Sequence, residues 1–305
     1  MITFHPRKEL TATPTPPSSD ISLPINDRGE LFSILLPTWN NLPYLKLCVR
    51  SIQRNSHYPH QIIIHVNEGS DGTLQWVKEQ GLDYTYSKNN VGICWAVNAA
   101  ANLATTQFIV YMNDDMYVCP GWDNVYVDYI SQLSHDHYFL SSTMIEPTAT
   151  GNAAVIVCPD LGDSIETFDE AQLLRRHAEF SRANWSGATF PPNLVPKRLW
   201  DCVGGYSVEF SPGMASDPDF SMKLWQYGVR HFVGLGASRV YHFQCKSTGR
   251  VQRNDGRRQF MRKWRIAIST FRKLYLRYGK PSVAHLPEPD LPAHKIFWDH
   301  LRSRW

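Results

Sequence analysis

The amino-acid sequence predicts an α/β fold, an open and mostly parallel sheet with helices on both faces and a helical C-terminal extension. Three observations predict it. Strand-like apolar runs alternate with helix-spaced apolar residues from Leu31 to about residue 130. Hydrophobic residues make up 43% of the 305, with abundant Trp, Tyr and Phe, enough for a sizeable core and against general disorder. Polar, turn-rich segments close the apolar runs at their carboxyl ends.

In order along the chain, "LFSILLP" is a short apolar run closed by Pro37, a buried strand. "LPYLKLCVRSIQRN" places Leu42, Leu45, Val49 and Ile52 at helical spacing. "QIIIHV" is a β-branched strand ended by "NEGSDGT", and Leu74 and Val77 mark a short helix. "LDYTYS" is a third strand. "VGICWAVNAAANLATT" is a helix with Ile93, Val97, Ala100 and Ala104 on one face. "FIVYM" completes the series. The second half is less regular: "SDPDFSMKLWQYGVRHFVG" holds one helix, bounded by Gly228, and a strand after it. The tail "GRRQFMRKWRIAISTFRKLYLRYGK" is a basic helix with mixed apolar positions.

The expected divisions are a flexible N-terminal arm over 1–30, a globular domain over 31–248, regular through about 130 and less so beyond, and a basic helical extension over 249–305. "TATPTPPSSD" reads as a mobile, partly polyproline arm. A net charge of +3 is too small to argue for a nucleic-acid partner. Six scattered cysteines lack metal-ligand spacing and fit buried thiols in a reducing cytosol. Neither a signal peptide nor a membrane span is expected. The basic tail could lie on an anionic membrane surface or pack on the domain, so the expected location is cytoplasmic with peripheral contact at the inner membrane face as an option.

The chemistry starts from "YMNDDM". Asp114 and Asp115 follow a buried strand, where isolated carboxylates are costly unless paired, hydrated or bound to a cation. In open sheets ligands bind beyond the strand carboxyl ends, and "PTWNN", "NEGSDG" and "NDDM" all sit there, so one crevice should receive all three. A dehydrogenase-like or Walker-type phosphate loop would need glycines after the first strand, which "LLPTWNN" lacks. Nucleotidyltransferases, with their Gly-rich basic loop, are disfavoured for the same reason.

"PTWNN", "VNEGSDGT", "NNVGICWAVNAA", "NDDM", "GGYSVEF", "SDPDF" and "VYHFQCKS", in this order, resemble the family 2 glycosyltransferases of the GT-A, Rossmann-like fold. The resemblance runs from about Phe32 to Thr248 and implies a catalytic domain over 31–248, with a nucleotide-binding half over 31–130 and an acceptor-binding half over 131–248, a nucleotide-sugar donor, a divalent cation (Mn²⁺ or Mg²⁺) and inversion at the anomeric carbon. A UDP-sugar is the expected donor. The expected acceptor is a glycan, a lipid-linked or another hydroxyl, as in polysaccharide or glycoconjugate biosynthesis.

By family position Asp115 would ligate the metal and Asp114 contact the ribose or a metal-bound water. His242 would complete the metal or diphosphate site. Pro37, Thr38, Trp39 and Asn40 would line the nucleotide site, with Trp39 stacking on the base or serving the core. Glu68 would accept from the base edge. Asn90 and Gly92 start a helix whose N–H groups could face the nucleotide. In "SDPDF", Asp217 would be the general base and Asp219 a supporting residue, while Ser216 replaces the family's glutamate. Asp217 could instead cap its helix. At an ordinary pKa of about 3.9 it would need position more than activation. Lys246, Arg250, Arg257 and Arg258 could neutralise the diphosphate or form a solvated basic face. Ser216 also leaves open a non-catalytic nucleotide-sugar-binding or scaffold protein.

Overall fold

The structure is a computed structural model that describes residues 1–7, 23–180, 182–245, 253–293, 298–299 and 303. Lys246, Arg250 and residues 8–22 of the expected N-terminal arm lie outside these residues. The strands are β1 (Ile2–His5), β2 (Ser33–Trp39), β3 (Gln61–Asn67), β4 (Asp83–Ser87), β5 (Phe108–Tyr111), β6 (Met116–Val118), β7 (Tyr138–Glu146), β8 (Ile156–Val157), β9 (Trp185–Ser186), β10 (Asn193–Pro196) and β11 (His231–His242). The helices used below are α1 (Leu42–Asn55), α2 (Thr73–Glu79), α3 (Ile93–Ala101), α4 (Trp122–Ser131), α5 (Glu170–Arg176), α6 (Lys197–Val203), α7 (Ser216–Gln226) and α8 (Gly256–Trp264).

The sheet runs β1-β4-β3-β2-β5-β10-β7-β11-β6. β4, β3, β2 and β5 are mutually parallel, as the strand and helix alternation predicts. The interiors of β2, β3 and β5 are buried on both faces and mainly apolar, with His65 of β3 bonded to Thr85 and Ser87 of the half-buried β4. β10 then pairs antiparallel with both β5 and β7. Two reversals restore the direction, so β7 and its parallel neighbour β11 end on the same edge as β2, β3 and β5. That edge carries the site.

Burial divides between the two faces. Ile52 of α1 and Tyr126 of α4 belong to one core with Ile34 and Ile64, and Val97 of α3 and Phe220 of α7 to the other with Leu35 and Ile63. The second core also takes in Phe260, Ile266, Phe271, Leu276 and Leu286. The C-terminal extension is therefore not one long basic helix. It breaks at Arg265, which has a left-handed φ of 60°, and resumes as a short helix at Ile268–Thr270 that tightens into a π turn at Phe271–Tyr275. Its mixed apolar pattern is explained by this break, because each piece turns its own face to the domain.

Two further elements differ from expectation. Ile2–His5, expected within a flexible arm, form an edge strand on β4. Arg7 fixes the chain after it, pairing with Glu30 and donating its backbone N–H to Asp83 at 2.7 Å. β7 is buried along its full length although its sequence, "YFLSSTMIE", carries Ser141, Ser142 and Thr143. Ser142 exchanges hydrogen bonds with Tyr126 and Ser238, and the Thr143 hydroxyl donates to the Leu235 carbonyl, so these two are satisfied inside the sheet, whereas the buried Ser141 hydroxyl has no partner among the described residues.

Candidate active site

A cavity of about 640 Å³ opens beyond the carboxyl ends of β2, β3, β5 and β7, roofed by the loop before α7. Pro37, Thr38, Trp39, Asn90, Gly92, Asp114, Asp115, Asp217 and His242 all line it. These residues come from five separated sequence segments, and the parallel register brings the ends of the strands together: Trp39 pairs with Asn67, Asn67 with Ser87 and Leu35 with Tyr111.

The two aspartates have different surroundings. Thr38 Oγ1 donates to Asp114 Oδ2 at 2.6 Å, tying the end of β2 to the turn after β5. Asp115 is 5% exposed and lies one residue before β6, whose first residue, Met116, pairs with His242. The antiparallel β6–β11 pairing thus sets His242 Nε2 at 3.5 Å from Asp115 Oδ1. Asp115 Oδ2 accepts from the Cys245 amide at 2.7 Å. Burial pushes the Asp115 carboxyl up, but His242 and the Cys245 amide together outweigh it and hold the group below its ordinary value.

Glu146, the last residue of β7, completes the arrangement and was not anticipated. Its Oε1 lies 2.7 Å from His242 Nδ1, and Gln244 Nε2 donates to its Oε2 at 2.7 Å. Burial would lower the His242 pKa, yet Asp115 and Glu146 on either side raise it to about 10. The signal that could have found Glu146 is the one used for Asp115, a lone carboxylate at the mouth of a buried strand.

With Glu146 on Nδ1, the imidazole's other nitrogen faces Asp115. It must carry a proton there or share a cation with the carboxylate. The 3.5 Å between Asp115 Oδ1 and His242 Nε2 suits two adjacent ligands of one divalent ion, each at about 2.1 Å. Glu146 is the outer partner that would fix the ring. Among the described residues no group of three His, Cys, Asp or Glu side chains forms a cage for a metal. The pair therefore fits a hard cation that takes its other ligands from bound substrate and water.

Asp217 lines the opposite side of the cavity, in the first turn of α7. Tyr206 donates its hydroxyl to Asp217 Oδ1 at 2.9 Å. Burial raises the carboxyl to about 6, with Tyr206 and the charge of Arg272 acting in the other direction. This departs from the expectation of an unperturbed aspartate. Nor is Asp217 the helix cap, which falls on Ala215 with φ of 67°. Ser216 donates its hydroxyl to the Gly213 carbonyl at 2.8 Å, so the residue replacing the family's glutamate holds the loop together.

Three expected residues do not line the cavity. Asp219, two residues beyond Asp217, falls on the far face of α7, where its Oδ1 accepts from Trp264 Nε1 at 2.8 Å and lies 3.0 Å from Lys263 Nζ. Glu68 and Asn40 have left-handed φ values of 60° and 47°, which turn both chains aside after β3 and β2. There Asn40 Nδ2 donates to Glu68 Oε2 at 3.1 Å. The residue that does face the cavity at the end of β3 is Asn67, whose Oδ1 accepts from the Val91 amide at 2.9 Å. Asn90 and Gly92 line it too, but the N–H groups at this helix start are engaged within the chain. Asn90 Oδ1 takes the Gly92 amide and the Pro212 carbonyl takes the Ile93 amide, both at 2.9 Å.

Residues 33–157 match the model of the glycosyl transferase family 2. No curated protein sequence matches the chain. Among solved structures, S. aureus TarS 1-349 in complex with UDP superposes with a TM-score of 0.54 at 16% identity, covering 89% of this chain and 70% of that one. GalNAc-T7 with UDP, GalNAc and Mn²⁺ gives 0.53 at 14% identity, covering 74% and 45% respectively. TarS 1-349 in complex with UDP-GlcNAc gives 0.51 at 18%, covering 89% and 71%. At these identities the likeness is one of fold.

Proposed function

Residues 33–157 are a family 2 glycosyltransferase segment set in a GT-A fold, and from this premise we propose that the protein transfers a sugar from a nucleotide-diphosphate donor, a UDP-sugar, to an acceptor hydroxyl. The observation that carries the reading is that one cavity holds a metal-type pair, Asp115 with His242, and a raised carboxylate, Asp217, on its other side. The neighbours crystallised with UDP, UDP-GlcNAc and, in GalNAc-T7, Mn²⁺ support the choice of donor and of a divalent cation.

In this mechanism the donor nucleotide lies against Pro37, Thr38, Trp39 and Asn67, with Asp114 held by Thr38 to meet the ribose or a bound water. Asp115 and His242 would hold Mn²⁺ or Mg²⁺, which neutralises charge on the departing diphosphate. Asp217 accepts the proton of the acceptor hydroxyl. The acceptor oxygen forms the new bond to the anomeric carbon while the bond to the diphosphate oxygen breaks, from opposite faces, so the configuration inverts. Tyr206 orients the base through its hydrogen bond. The proton ends on Asp217 and the electron pair on the nucleoside diphosphate.

A scaffold protein with no turnover is not favoured, because Asp217 keeps its position despite Ser216. We place the reaction in a reducing compartment, supported by six unpaired cysteines, four of them buried. Among the described residues no helix is long and apolar enough to cross a membrane. The deciding experiment screens nucleotide-sugars for hydrolysis and transfer by mass detection, with and without chelator. Turnover of a UDP-sugar that stops on chelation is expected; nucleotide binding without turnover or metal dependence overturns the reading.

A further inference from the structure

Tyr278, from the C-terminal extension, touches two residues that line the cavity. Its ring meets that of Phe190 edge-on, with centroids 6.1 Å apart, and its hydroxyl donates to Asn152 Oδ1 at 2.9 Å. Tyr278 is itself held on several sides. The Trp185 ring lies 5.4 Å away at 75°. A Cβ on Gly187 would come within 2.8 Å of the Tyr278 ring, and one on Gly279 within 2.8 Å of Ala153 Cβ, so glycine at both positions lets the extension close on the loop between β7 and β8. The Gly279 amide donates to the Ser186 carbonyl at 3.0 Å.

Asn152 sits half-buried in that loop. Its Oδ1 takes a second hydrogen bond, from the Ala154 amide at 3.0 Å. A backbone N–H can only donate, so this bond fixes which end of the carboxamide is oxygen. With the oxygen held by Ala154 and Tyr278, the two N–H groups of Nδ2 are unspent among the described residues. They are what Asn152 can offer a bound molecule.

The charge of the cavity narrows what that molecule is. Asp114, Asp115, Glu146 and Asp217 line it, and among the described residues no Lys or Arg does. An anionic sugar would therefore meet carboxylates with no side-chain cation but His242, which Asp115 and Glu146 already flank. Met144, Phe190, Pro191 and Met214 give the lining apolar surface as well. A sugar ring is apolar on its faces and carries oxygens around its rim, so a flat ring and a carboxamide set by one tyrosine match it on both counts.

We propose that Asn152 binds the transferred sugar, donating from Nδ2 to a hydroxyl or carbonyl oxygen on its rim, that this sugar is neutral and lies with an apolar face toward Phe190, and that Tyr278 is the positioning residue for both. This rests on the transferase reading of the cavity. The C-terminal extension then takes part in sugar recognition although Tyr278 does not line the cavity.

The test is binding to the full chain with Mn²⁺ and no acceptor, using UDP-glucose, UDP-galactose, UDP-N-acetylglucosamine and UDP-glucuronate as probes and UDP as the reference. At least one neutral UDP-sugar should bind roughly tenfold more tightly than UDP-glucuronate. Asn152→Asp is the decisive variant. Its carboxylate still accepts from Ala154 and Tyr278, which keeps the loop in place, but it cannot donate. The Kd of the preferred UDP-sugar relative to that of UDP should rise roughly 3- to 10-fold, the worth of one hydrogen bond. Tyr278→Phe should raise the same ratio by a smaller factor, a readout that a general loss of stability does not move. An unchanged ratio in Asn152→Asp overturns the proposal and leaves the carboxamide to the acceptor or to the loop. Tightest binding of UDP-glucuronate overturns the neutral sugar, and an unchanged ratio in Tyr278→Phe overturns the positioning role. If neither UDP nor any UDP-sugar binds, the transferase reading fails and the proposal with it; turnover of a UDP-sugar with an unchanged ratio in Asn152→Asp sinks the proposal alone.

Discussion

Tyr206 and Asp217 are joined by a 2.9 Å hydrogen bond inside the cavity, and the carboxylate so held has a pKa raised to about 6. Only the ionised form accepts a proton. Transfer is therefore expected to rise with pH through about 6 and level off above it, measured under saturating donor and metal. Asp217→Asn should lower transfer by roughly 10² to 10⁴ with UDP binding intact. A normal rate in that variant removes Asp217 from the mechanism.

The same residue makes a stability prediction of definite sign. The folded pKa of Asp217 lies above its unfolded value of 3.8, so the native state holds the proton more tightly and stability falls as pH rises from about 4 to 6. Asp217→Asn removes that penalty. It should raise the unfolding free energy by about 1 to 3 kcal/mol at pH 7.5 and by much less at pH 4. A variant less stable than the parent at pH 7.5 would contradict the burial argument.

The parallel half of the sheet was legible because its strands are short, apolar and separated by helices of regular spacing, and the strand-end rule led from them to one crevice. What stayed hidden depended on pairings across the chain. β7 hides its burial behind Ser141, Ser142 and Thr143, of which the last two bond to neighbouring elements, and with it hides Glu146. The antiparallel insertion of β10, which brings Glu146 and His242 to the site edge, has no periodic trace in so short a strand. Asp219 and Asp217 share a motif, but α7 sends them to different faces. Glu68 and Asn40 sit in the right loops and are turned aside by left-handed backbone.

Glu146→Gln tests the unanticipated residue. The amide keeps the size but weakens the hold on His242 Nδ1, and loss of such an outer partner typically costs about 10- to 100-fold in metal affinity. Titration of Mn²⁺ in the presence of UDP should show that loss with little change in overall stability. Unaltered metal affinity would confine Glu146 to a structural role.

Metal and proton should compete at His242. In the metal-free protein its pKa is raised to about 10, so the stabilisation it gives is fully present below its unfolded value of about 6.5 and is lost as pH rises through 10. An ion that takes Nε2 must displace that proton. The apparent affinity for Mn²⁺ should then rise by up to about tenfold per pH unit between 7 and 9, with proton release measurable by calorimetry in buffers of different ionisation enthalpy. His242→Ala should flatten the dependence. A flat profile in the parent protein takes His242 out of the ligand set.

Gly92 links the nucleotide and acceptor sides, and its substitution gives the last prediction. The residue has φ of 79°, and a Cβ there would meet the Pro212 Cα at 2.8 Å. Pro212 in turn accepts the Ile93 amide and leads through Gly213 to Ser216 and Asp217. Gly92→Ala must therefore move the loop that positions the base, as well as strain the start of α3. The backbone conformation alone should cost about 1 to 2 kcal/mol. Because the loop bears on Asp217 while Asp115 and His242 are held by the distant β6–β11 pairing, transfer should fall more than tenfold while metal-dependent UDP binding changes little. Parallel loss of both would mean that the two sides of the cavity are not held independently, and the division of labour drawn here would fail.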